Sequence, residues 1–277
     1  MRIGKIIIGI TLFVLLSIII PMQLAYARVS LLGPMTHEYT VKIGEEMKGE
    51  IVLRNPDTED VTLKLYHRDY SFTSEGKSNY IEPGALKRSN AGWIRLEKTR
   101  VSIAPDDTAI VKFTIKVPDD QALTGTYWSI IMVEPLSPVN LVEETGKSVN
   151  VMIHETVRYG VQIVTTIGTS GSKKLEFRKA SLNTNDDGTM LLSVDIENLG
   201  ERWLKPDVWV DLFKDDGTFV ARFKAANKRL FPGTSVRHPI LLGNLKAGKY
   251  MALVVADDGD EYVVGAEYTL NVGKKQN

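Results

Sequence analysis

Residues 149–167 read VNVMIHETVRYGVQIVTTI, and apolar and polar side chains alternate along this stretch. Successive side chains of a β-strand point to opposite faces of the sheet, so the alternation predicts an extended chain with one apolar face. The stretch exceeds the roughly 10 residues that strands usually reach, and the alternation fails at Glu155. We therefore expect a break near His154 and Glu155, followed by a strand that ends just before a change of domain.

Shorter stretches with the same period recur along the rest of the chain. The clearest is 109–117, which alternates strictly and ends at Pro118. Two other stretches, 127–133 and 250–255, are apolar on both faces, as central strands of a sheet are. Asn, Asp, Gly and Pro cluster between the stretches, where they favour turns. Strands at this spacing are typical of β-sandwiches, so the sequence predicts an all-β fold.

The two halves of the chain share an order of landmarks. In each half a strand ends in Asn, a Pro-led turn opens a later strand, and a Gly-x-Tyr sequence opens the most apolar strand. These landmarks are Asn55, Pro105 and Gly125 in the first half and Asn198, Pro232 and Gly248 in the second. We therefore expect two sandwich domains of similar topology, residues 28–168 and 173–273, joined by the flexible linker 168–172.

The first residues of the chain predict a targeting segment. A cationic start precedes an apolar run at 6–20, Pro21 ends the run, and Ala25 and Ala27 supply the small residues that signal peptidase requires. The run is shorter than the ~20 residues that span a bilayer. We expect residues 1–27 to be a cleaved signal peptide, with an uncleaved membrane anchor as the alternative. The protein would then be exported, to the periplasm or the outer cell surface.

Composition excludes several classes of function. The formal net charge of the 277 residues is zero, whereas nucleic acids and anionic membranes require a concentrated basic surface. We therefore expect no nucleic-acid partner, and membrane contact only through an uncleaved N-terminal segment. The chain has no cysteine, so disulfides, thiol catalysis and zinc–thiolate sites are excluded.

Several short motifs of the first half occur together in known proteins. They are Val52-Leu53-Arg54-Asn55-Pro56, the Pro105 turn with its strand to Val117, Gly125-Thr126-Tyr127-Trp128-Ser129-Ile130-Ile131 through Pro135, and the strand from Val157 to Ile163. By these motifs residues 29–167 resemble the N-terminal domain of the periplasmic pilus chaperones. The run Trp93-Ile94-Arg95-Leu96, followed by Ile103-Ala104-Pro105, is also similar to the partner proteins of WxL surface proteins in Gram-positive bacteria. Both resemblances imply immunoglobulin-like sandwiches.

The resemblance implies a binding function rather than an enzymatic one. In the pilus chaperones the last strand of the first domain completes an unfinished pilin sandwich by β-strand addition. The resemblance therefore implies a cell-envelope protein that needs no cofactor. Its partner would be a protein, such as a surface or pilus-like subunit. The partner-binding residues would be Val157, Arg158, Tyr159, Val161 and Ile163. The position that matches the carboxylate-binding lysine of the chaperones is Gly160, and a further cation, Arg28, lies near the start.

The same apolar face has a second interpretation, which the residues leave open. Alternating strands normally bury their apolar face in their own sandwich, so Val161 and Ile163 could be core residues instead of an exposed donor surface. A cell-wall or polysaccharide-binding adhesion module is the alternative function. Exposed aromatic side chains would bind the glycan, and Trp203 is the best exposed candidate because its neighbours are polar. We nevertheless favour a packing role for it, because sandwiches usually need buried aromatic side chains.

The remaining constellations predict no chemistry. The Asp-Asp-Gly sequences ending at Gly188, Gly217 and Gly259 lack the spaced oxygen ligands of a calcium loop and favour hairpin turns. No pair of histidines has metal-ligand spacing, so no metal site is expected. Nucleophile-elbow, phosphate-loop and dinucleotide motifs are missing from the sequence, which leaves a hydrolase unsupported.

Overall fold

The computed structural model of this protein describes residues 29–136, 157–259 and 262–273. Regular structure in these residues is β, apart from one 3₁₀ turn at Ala91–Trp93. The prediction of an all-β fold with two immunoglobulin-like sandwiches in tandem is confirmed. The predicted leader at 1–27, Arg28, and the first part of the alternating stretch, 149–156, lie outside the described residues.

The first sandwich consists of two sheets, with strand orders β1-β3-β8-β6 and β2-β10-β9-β4-β5, and β7 pairs with β4. Its strands are β1 (Ser30–Leu32), β2 (Thr36–Val41), β3 (Glu46–Arg54), β4 (Val61–Phe72), β5 (Ser78–Ile81), β6 (Ile94–Leu96), β7 (Arg100–Ile103), β8 (Thr108–Lys116), β9 (Gly125–Pro135) and β10 (Tyr159–Ile167).

The second sandwich consists of two sheets with strand orders β11-β12-β15 and β14-β13-β16-β17. Its strands are β11 (Leu175–Thr184), β12 (Met190–Asn198), β13 (Asp207–Lys214), β14 (Phe219–Lys224), β15 (Ser235–Gly243), β16 (Gly248–Asp257) and β17 (Val263–Val272).

The two sandwiches have equivalent strand orders. The path β1-β3-β8 of the first matches β11-β12-β15 of the second, and β10-β9-β4-β5 matches β17-β16-β13-β14. The most apolar strands, β9 and β16, are central in their sheets, as predicted. One difference matters below: β10 has β2 beside it, whereas no described strand lies on the outer side of β17.

Each sandwich has its own core, formed by the inward side chains of alternating strands. In β8, for example, Val111, Phe113 and Ile115 are buried, whereas the residues between them are more exposed. Burying a side chain of this size stabilises the fold by about 1.5–3 kcal/mol. The first core lies within residues 29–167 and the second within 175–272.

The two landmark asparagines make equivalent hydrogen bonds. Asn55 is fully buried; its Nδ2 donates to the carbonyls of Glu59, Ile103 and Ala104, and its Oδ1 accepts from the Asp57 N–H. Asn55 therefore joins the end of β3 to the chain just before the turn at Pro105.

Asn198 repeats this arrangement in the second sandwich. It is fully buried, its Nδ2 donates to the carbonyls of Arg202 and Leu230, and its Oδ1 accepts from the Gly200 N–H. In each half the amide reaches the residue four positions ahead and the residue two positions before the proline. The shared order of landmarks thus has a common structural cause.

An aromatic cluster joins the two sandwiches. The rings of Trp128 and Phe231 stack with centroids 4.8 Å apart and an interplanar angle of 11°. Trp203 packs against this cluster, and the guanidinium of Arg229 lies 4.5 Å from its ring centroid. Arg229 also pairs with Glu38 of the first sandwich. Stacked rings and a charged pair across one contact fix the relative position of the sandwiches.

Residues 168–172, predicted as a flexible linker, are instead tied to both sandwiches. The Ser170 hydroxyl donates to the Ile167 carbonyl at 2.6 Å and accepts from the Gly125 N–H at 3.1 Å. The Arg202 guanidinium donates to the Ser170 carbonyl at 3.0 Å. A Cβ on Gly171 would lie 2.5 Å from the Gly125 Cα, so the two backbones pass in direct contact. Composition alone does not reveal such packing.

His238 makes the stability of the second sandwich depend on pH. It is fully buried, its ring nitrogens make no hydrogen bond of ordinary geometry, and the nearby backbone of Ala226 only partly offsets the effect of burial on its pKa. Burial, aided by the positive charge of Lys228, lowers the pKa of His238 to about 4, whereas the unfolded chain retains the ordinary value of 6.5. Because the neutral ring is favoured in the folded state, its stabilising contribution is complete above pH 6.5 and is lost as the pH falls towards 4.

We expect the free energy of unfolding to fall by about 3 kcal/mol between pH 6.5 and pH 4 through this group alone. Urea denaturation across that range measures the loss. His238→Leu should reduce the slope, because its side chain does not titrate. The slope should not vanish, since burial also lowers the pKa of His37 and His67. An unchanged slope in His238→Leu would contradict this assignment.

Candidate partner-binding edge

Strand β10 has a neighbour on both sides for only part of its length. It pairs with β9 from Tyr159 to Ile167, but its parallel pairing with β2 begins only at Gln162. The Gln162 N–H donates to the Met35 carbonyl at 2.8 Å. Residues 157–161, which we call the β10 free edge, therefore have no neighbouring strand on that side among the residues that the structure describes.

The unpaired backbone groups of this edge can be identified from the alternation of strand geometry. Backbone N–H and C=O groups of successive residues point to opposite sides of a strand. Since those of Gln162 point towards β2, those of Gly160, two residues earlier in β10, point the same way, into the space beside the free edge. Gly160 thus offers an N–H and a C=O to an added strand, and Arg158 lies just before the first residue of β10.

The structure places the predicted site residues in two groups. Val161 and Ile163 are fully buried in the core of the first sandwich, so the core interpretation of the apolar face holds for them. Ile163 is also paired on both sides, with His37 and Ser129, and its backbone offers no free edge. The sequence pattern could not distinguish a core face from a donor face, because both alternate in the same way.

Val157, Arg158 and Tyr159 lie at or near the surface. The Val157 side chain is 42% exposed, which is high for a valine in a sandwich. Tyr159 is half-buried, and its hydroxyl donates to the Val29 carbonyl at 2.6 Å. The exposed part of the predicted site therefore coincides with the part that lacks a neighbouring strand.

On the outer face of the sheet, the side chains beside Gly160 are apolar, and we call them the apolar floor of this edge. Gly160 lies between Ile130 and Met132, and a Cβ on it would lie 3.4 Å from the Ile130 side chain and 3.6 Å from the Met132 sulfur. Both of these side chains are at least nine-tenths buried. The position that matches the chaperone lysine therefore carries no cation here.

Charged and aromatic side chains surround this floor. Arg158 pairs with Glu134 at 2.7 Å, and Glu134 also accepts from the Tyr66 hydroxyl at 2.9 Å. The cations of Lys64 and Arg68 lie 5.2 and 5.3 Å from the Tyr66 ring centroid. Partial burial and the Glu134 carboxylate raise the pKa of Tyr66, so it remains a neutral donor at physiological pH. Arg158 is thus engaged by Glu134.

The aromatic side chain proposed for glycan binding has another role. Trp203 is half-buried in the cluster between the sandwiches, and Arg229 covers its ring. Its backbone N–H donates to the Thr126 hydroxyl of the first sandwich at 3.1 Å. Trp203 therefore has the packing role that we favoured, and its polar neighbours, which suggested exposure, meet the first sandwich.

Other candidate chemistry is not assembled in the described part of the chain. No group of His, Asp and Glu there could hold a metal ion. The Asp-Gly sequences form turns, with Gly188, Gly217 and Gly259 at positive φ. No helix within the described ranges has the length and apolar character needed to cross a membrane.

Comparison with solved structures identifies chaperones of similar fold. A chain of a chaperone–tip adhesin complex of CFA/I fimbriae biogenesis is 12% identical, over 88% of this chain and 98% of that one, with a TM-score of 0.47. The class 5 fimbriae chaperone CfaA is 13% identical, over 87% and 98%, with a TM-score of 0.45. A chain of the Salmonella enterica SafA pilin–SafB chaperone complex is 9% identical, over 88% and 97%, with a TM-score of 0.42.

Sequence comparison adds no family. No protein-family model matches the chain, and no curated protein matches it. The similar solved structures include fimbrial chaperones and also a PapD-like domain of human CEP192, which is 14% identical with a TM-score of 0.33. At these identities the similarity concerns the fold alone.

Proposed function

We propose that this chain is a non-enzymatic protein of the cell envelope that binds a partner protein by β-strand addition at the β10 free edge. In this role it would help to assemble or retain surface proteins. One observation carries the proposal: β10 is paired on both sides from Gln162 onwards but on one side only before it. A strand from the partner would lie on the same side of β10 as β2. It would pair with the part that β2 leaves unpaired, beside the backbone of Arg158 and Gly160.

Strand addition would combine two sources of affinity at this edge. The backbone groups of Gly160 would supply main-chain hydrogen bonds, which do not depend on the partner's sequence. Side chains of the added strand that point to the outer face would meet the apolar floor of Ile130 and Met132 beside Gly160. Those on the other face would extend the core past Tyr159. We infer a partner strand with alternating apolar residues.

The absence of a side chain at Gly160 suggests how the partner is selected. A lysine at this position would project into the space that Ile130 and Met132 line. The nearest cation on the strand, Arg158, already pairs with Glu134 at 2.7 Å. We therefore infer that this edge recognises an internal extended segment by its apolar side chains, and that a terminal carboxylate is not its main anchor.

Gly160→Pro tests this proposal without disturbing the core. Proline removes the outward N–H at the centre of the free edge and is tolerated on edge strands, whereas an acidic substitution of Val161 would bury a charge. We expect Gly160→Pro to abolish the capture of a near-stoichiometric envelope protein by residues 28–277. The measurement is a pull-down from envelope extract followed by mass spectrometry.

Gly160→Ala is the matched control. Its added methyl meets only the ordinary contact distances of 3.4–3.6 Å and leaves the N–H in place. Capture should persist in this variant, and both variants should show the thermal unfolding of the wild type. A partner that binds Gly160→Pro as well as Gly160→Ala would exclude β-strand addition at this edge.

A further inference from the structure

The second sandwich has a longer free edge than the first. In the equivalent strand orders, β17 occupies the place of β10, but no strand among the described residues takes the place of β2. Strand β17 pairs with β16 without interruption from Val263 to Val272, and no strand among the described residues lies on its other side. Strand β11 lies close to β17, and the Leu175 N–H donates to the Tyr262 hydroxyl just before β17 begins, but no described strand pairs with this side of β17.

Most of the other edge strands carry features that hinder pairing with another chain; the exception is β2, the six-residue edge strand beside β10. The strands β1, β5 and β6 have only three or four residues. The pairing of β11 with β12 and that of β14 with β13 each contain a register shift, and β15 contains Pro239. Strand β17 has no proline, no register shift and a single charge, Glu267. Natural proteins seldom leave an edge of this kind unprotected.

The inward face of β17 is incompletely covered. Val264, Ala266 and Tyr268 are only half-buried, although they face the second core. Their partners on β16, such as Val254, are fully buried. An added strand would remove this remaining apolar surface from water, which stabilises the complex by roughly 25 cal/mol per Å².

The hairpin between β16 and β17 shows which residues of β17 direct their backbone N–H and C=O groups to the free side. The Asp258 N–H donates to the Tyr262 carbonyl, so residues 262, 264 and the following even positions point to β16. Because the direction alternates along a strand, the N–H and C=O groups of Val263, Gly265, Glu267, Thr269 and Asn271 point to the free side.

We propose that a second copy of this chain occupies this edge, so that two β17 strands pair in antiparallel fashion about a two-fold axis at Tyr268. This register places Val264 opposite Val272 and Ala266 opposite Leu270, so apolar residues meet on the inward face. It also pairs nearly the full length of both strands. The two four-stranded sheets would become one continuous sheet, and the two-fold symmetry closes the assembly at a dimer.

The charge of Glu267 disfavours the neighbouring register, and the axis at Tyr268 pairs more of the strand than any later axis does. An axis one residue earlier would place the two Glu267 carboxylates directly opposite each other, which is unfavourable. With the axis at Tyr268, each Glu267 faces the neutral, exposed Thr269 of the other copy. The inference does not depend on the proposed function, because it concerns the second sandwich and a different occupant.

Substitutions of Thr269 test the register by charge. In residues 28–277, which include every described residue, Thr269→Glu creates two Glu–Glu pairs across the axis, and Thr269→Lys creates two Glu–Lys pairs. Sedimentation equilibrium at low salt should give a dimer for the wild type. We expect a Kd about tenfold higher for Thr269→Glu and several-fold lower for Thr269→Lys, from about 0.2–1 kcal/mol for each cross-strand pair.

A charge exchange completes the test. Glu267→Lys combined with Thr269→Glu should restore the affinity that Thr269→Glu loses, because opposite charges again face each other. Both side chains are exposed, so thermal unfolding should remain that of the wild type in every variant. A wild type that is monomeric at its highest soluble concentration would overturn the proposal. A dimer that is indifferent to all three variants, or one that Lys and Glu weaken equally, would also overturn it.

Discussion

Gly125→Ala is expected to lower the free energy of unfolding by about 3–4 kcal/mol. Gly125 has φ +71°, a conformation that costs an L-residue about 1–2 kcal/mol. The added Cβ would also lie 2.2 Å from the carbonyl oxygen of Glu201, which accepts the hydrogen bond from the Thr126 N–H. Since Glu201 belongs to the second sandwich, the methyl group would force the two sandwiches apart.

Gly76→Ala separates the two contributions. Gly76 has φ +82°, but no heavy atom lies within 4 Å of the position of its Cβ. This variant should therefore lose only the conformational cost of about 1–2 kcal/mol. Urea denaturation gives both losses, and small-angle X-ray scattering should detect a larger radius of gyration for Gly125→Ala alone. Equal losses in the two variants would mean that the contact with Glu201 contributes nothing.

Asn55→Ala is expected to destabilise the protein by about 3–4 kcal/mol, although it removes a small polar side chain. The substitution removes the donor of three carbonyl groups, those of Glu59, Ile103 and Ala104. It also removes the acceptor of the Asp57 N–H. An unsatisfied buried polar group costs about 1–3 kcal/mol. The loss is therefore larger than the value of the hydrogen bonds in an exposed setting.

Asn55→Asp tests the role of the amide donor at constant shape. The carboxylate would retain the bond from the Asp57 N–H but would face three carbonyl oxygens, so we expect a loss at least as large at pH 7. Protonation restores one donor, so the loss should shrink as the pH falls. The exposed Asn79 is the control, and Asn79→Ala should change the stability by less than about 0.5 kcal/mol. A loss for Asn55→Asp that does not vary with pH would contradict the donor role.

The sequence predicted the long, regularly alternating strands and missed several others, among them the short strands β1 and β5. Strand β8 alternates without interruption, and its inward residues form the core as expected. Strands β11 and β14 were not predicted, because each is paired with a register shift, between Phe177 and Lys179 in one case and Leu212 and Phe213 in the other. A shift moves the side chains between faces, so the period that identifies a strand is lost at that point.

The candidate edge was only half predictable. Periodicity located strand β10 and one of its faces, but the strand that pairs with it lies far away in sequence. Thr36 and Gln162, which meet where the pairing begins, are 126 residues apart. Nothing local in 36–41 indicates a parallel partner. The limit of the free edge therefore depends on a contact that only the folded structure reveals, and so does the place of Trp203 between the sandwiches.

The parallel pairing of β2 with β10 also has a consequence for the order of folding. Strand β2 is among the first to leave the ribosome, yet its partner at 162–167 follows only after every other strand of the first sandwich. Contacts between such distant segments form slowly, because a long loop must be closed first. The sheet that contains β2 therefore stays incomplete until β10 has been synthesised. The second sandwich needs no early segment, and β16 and β17 can pair as a hairpin as soon as both have been synthesised.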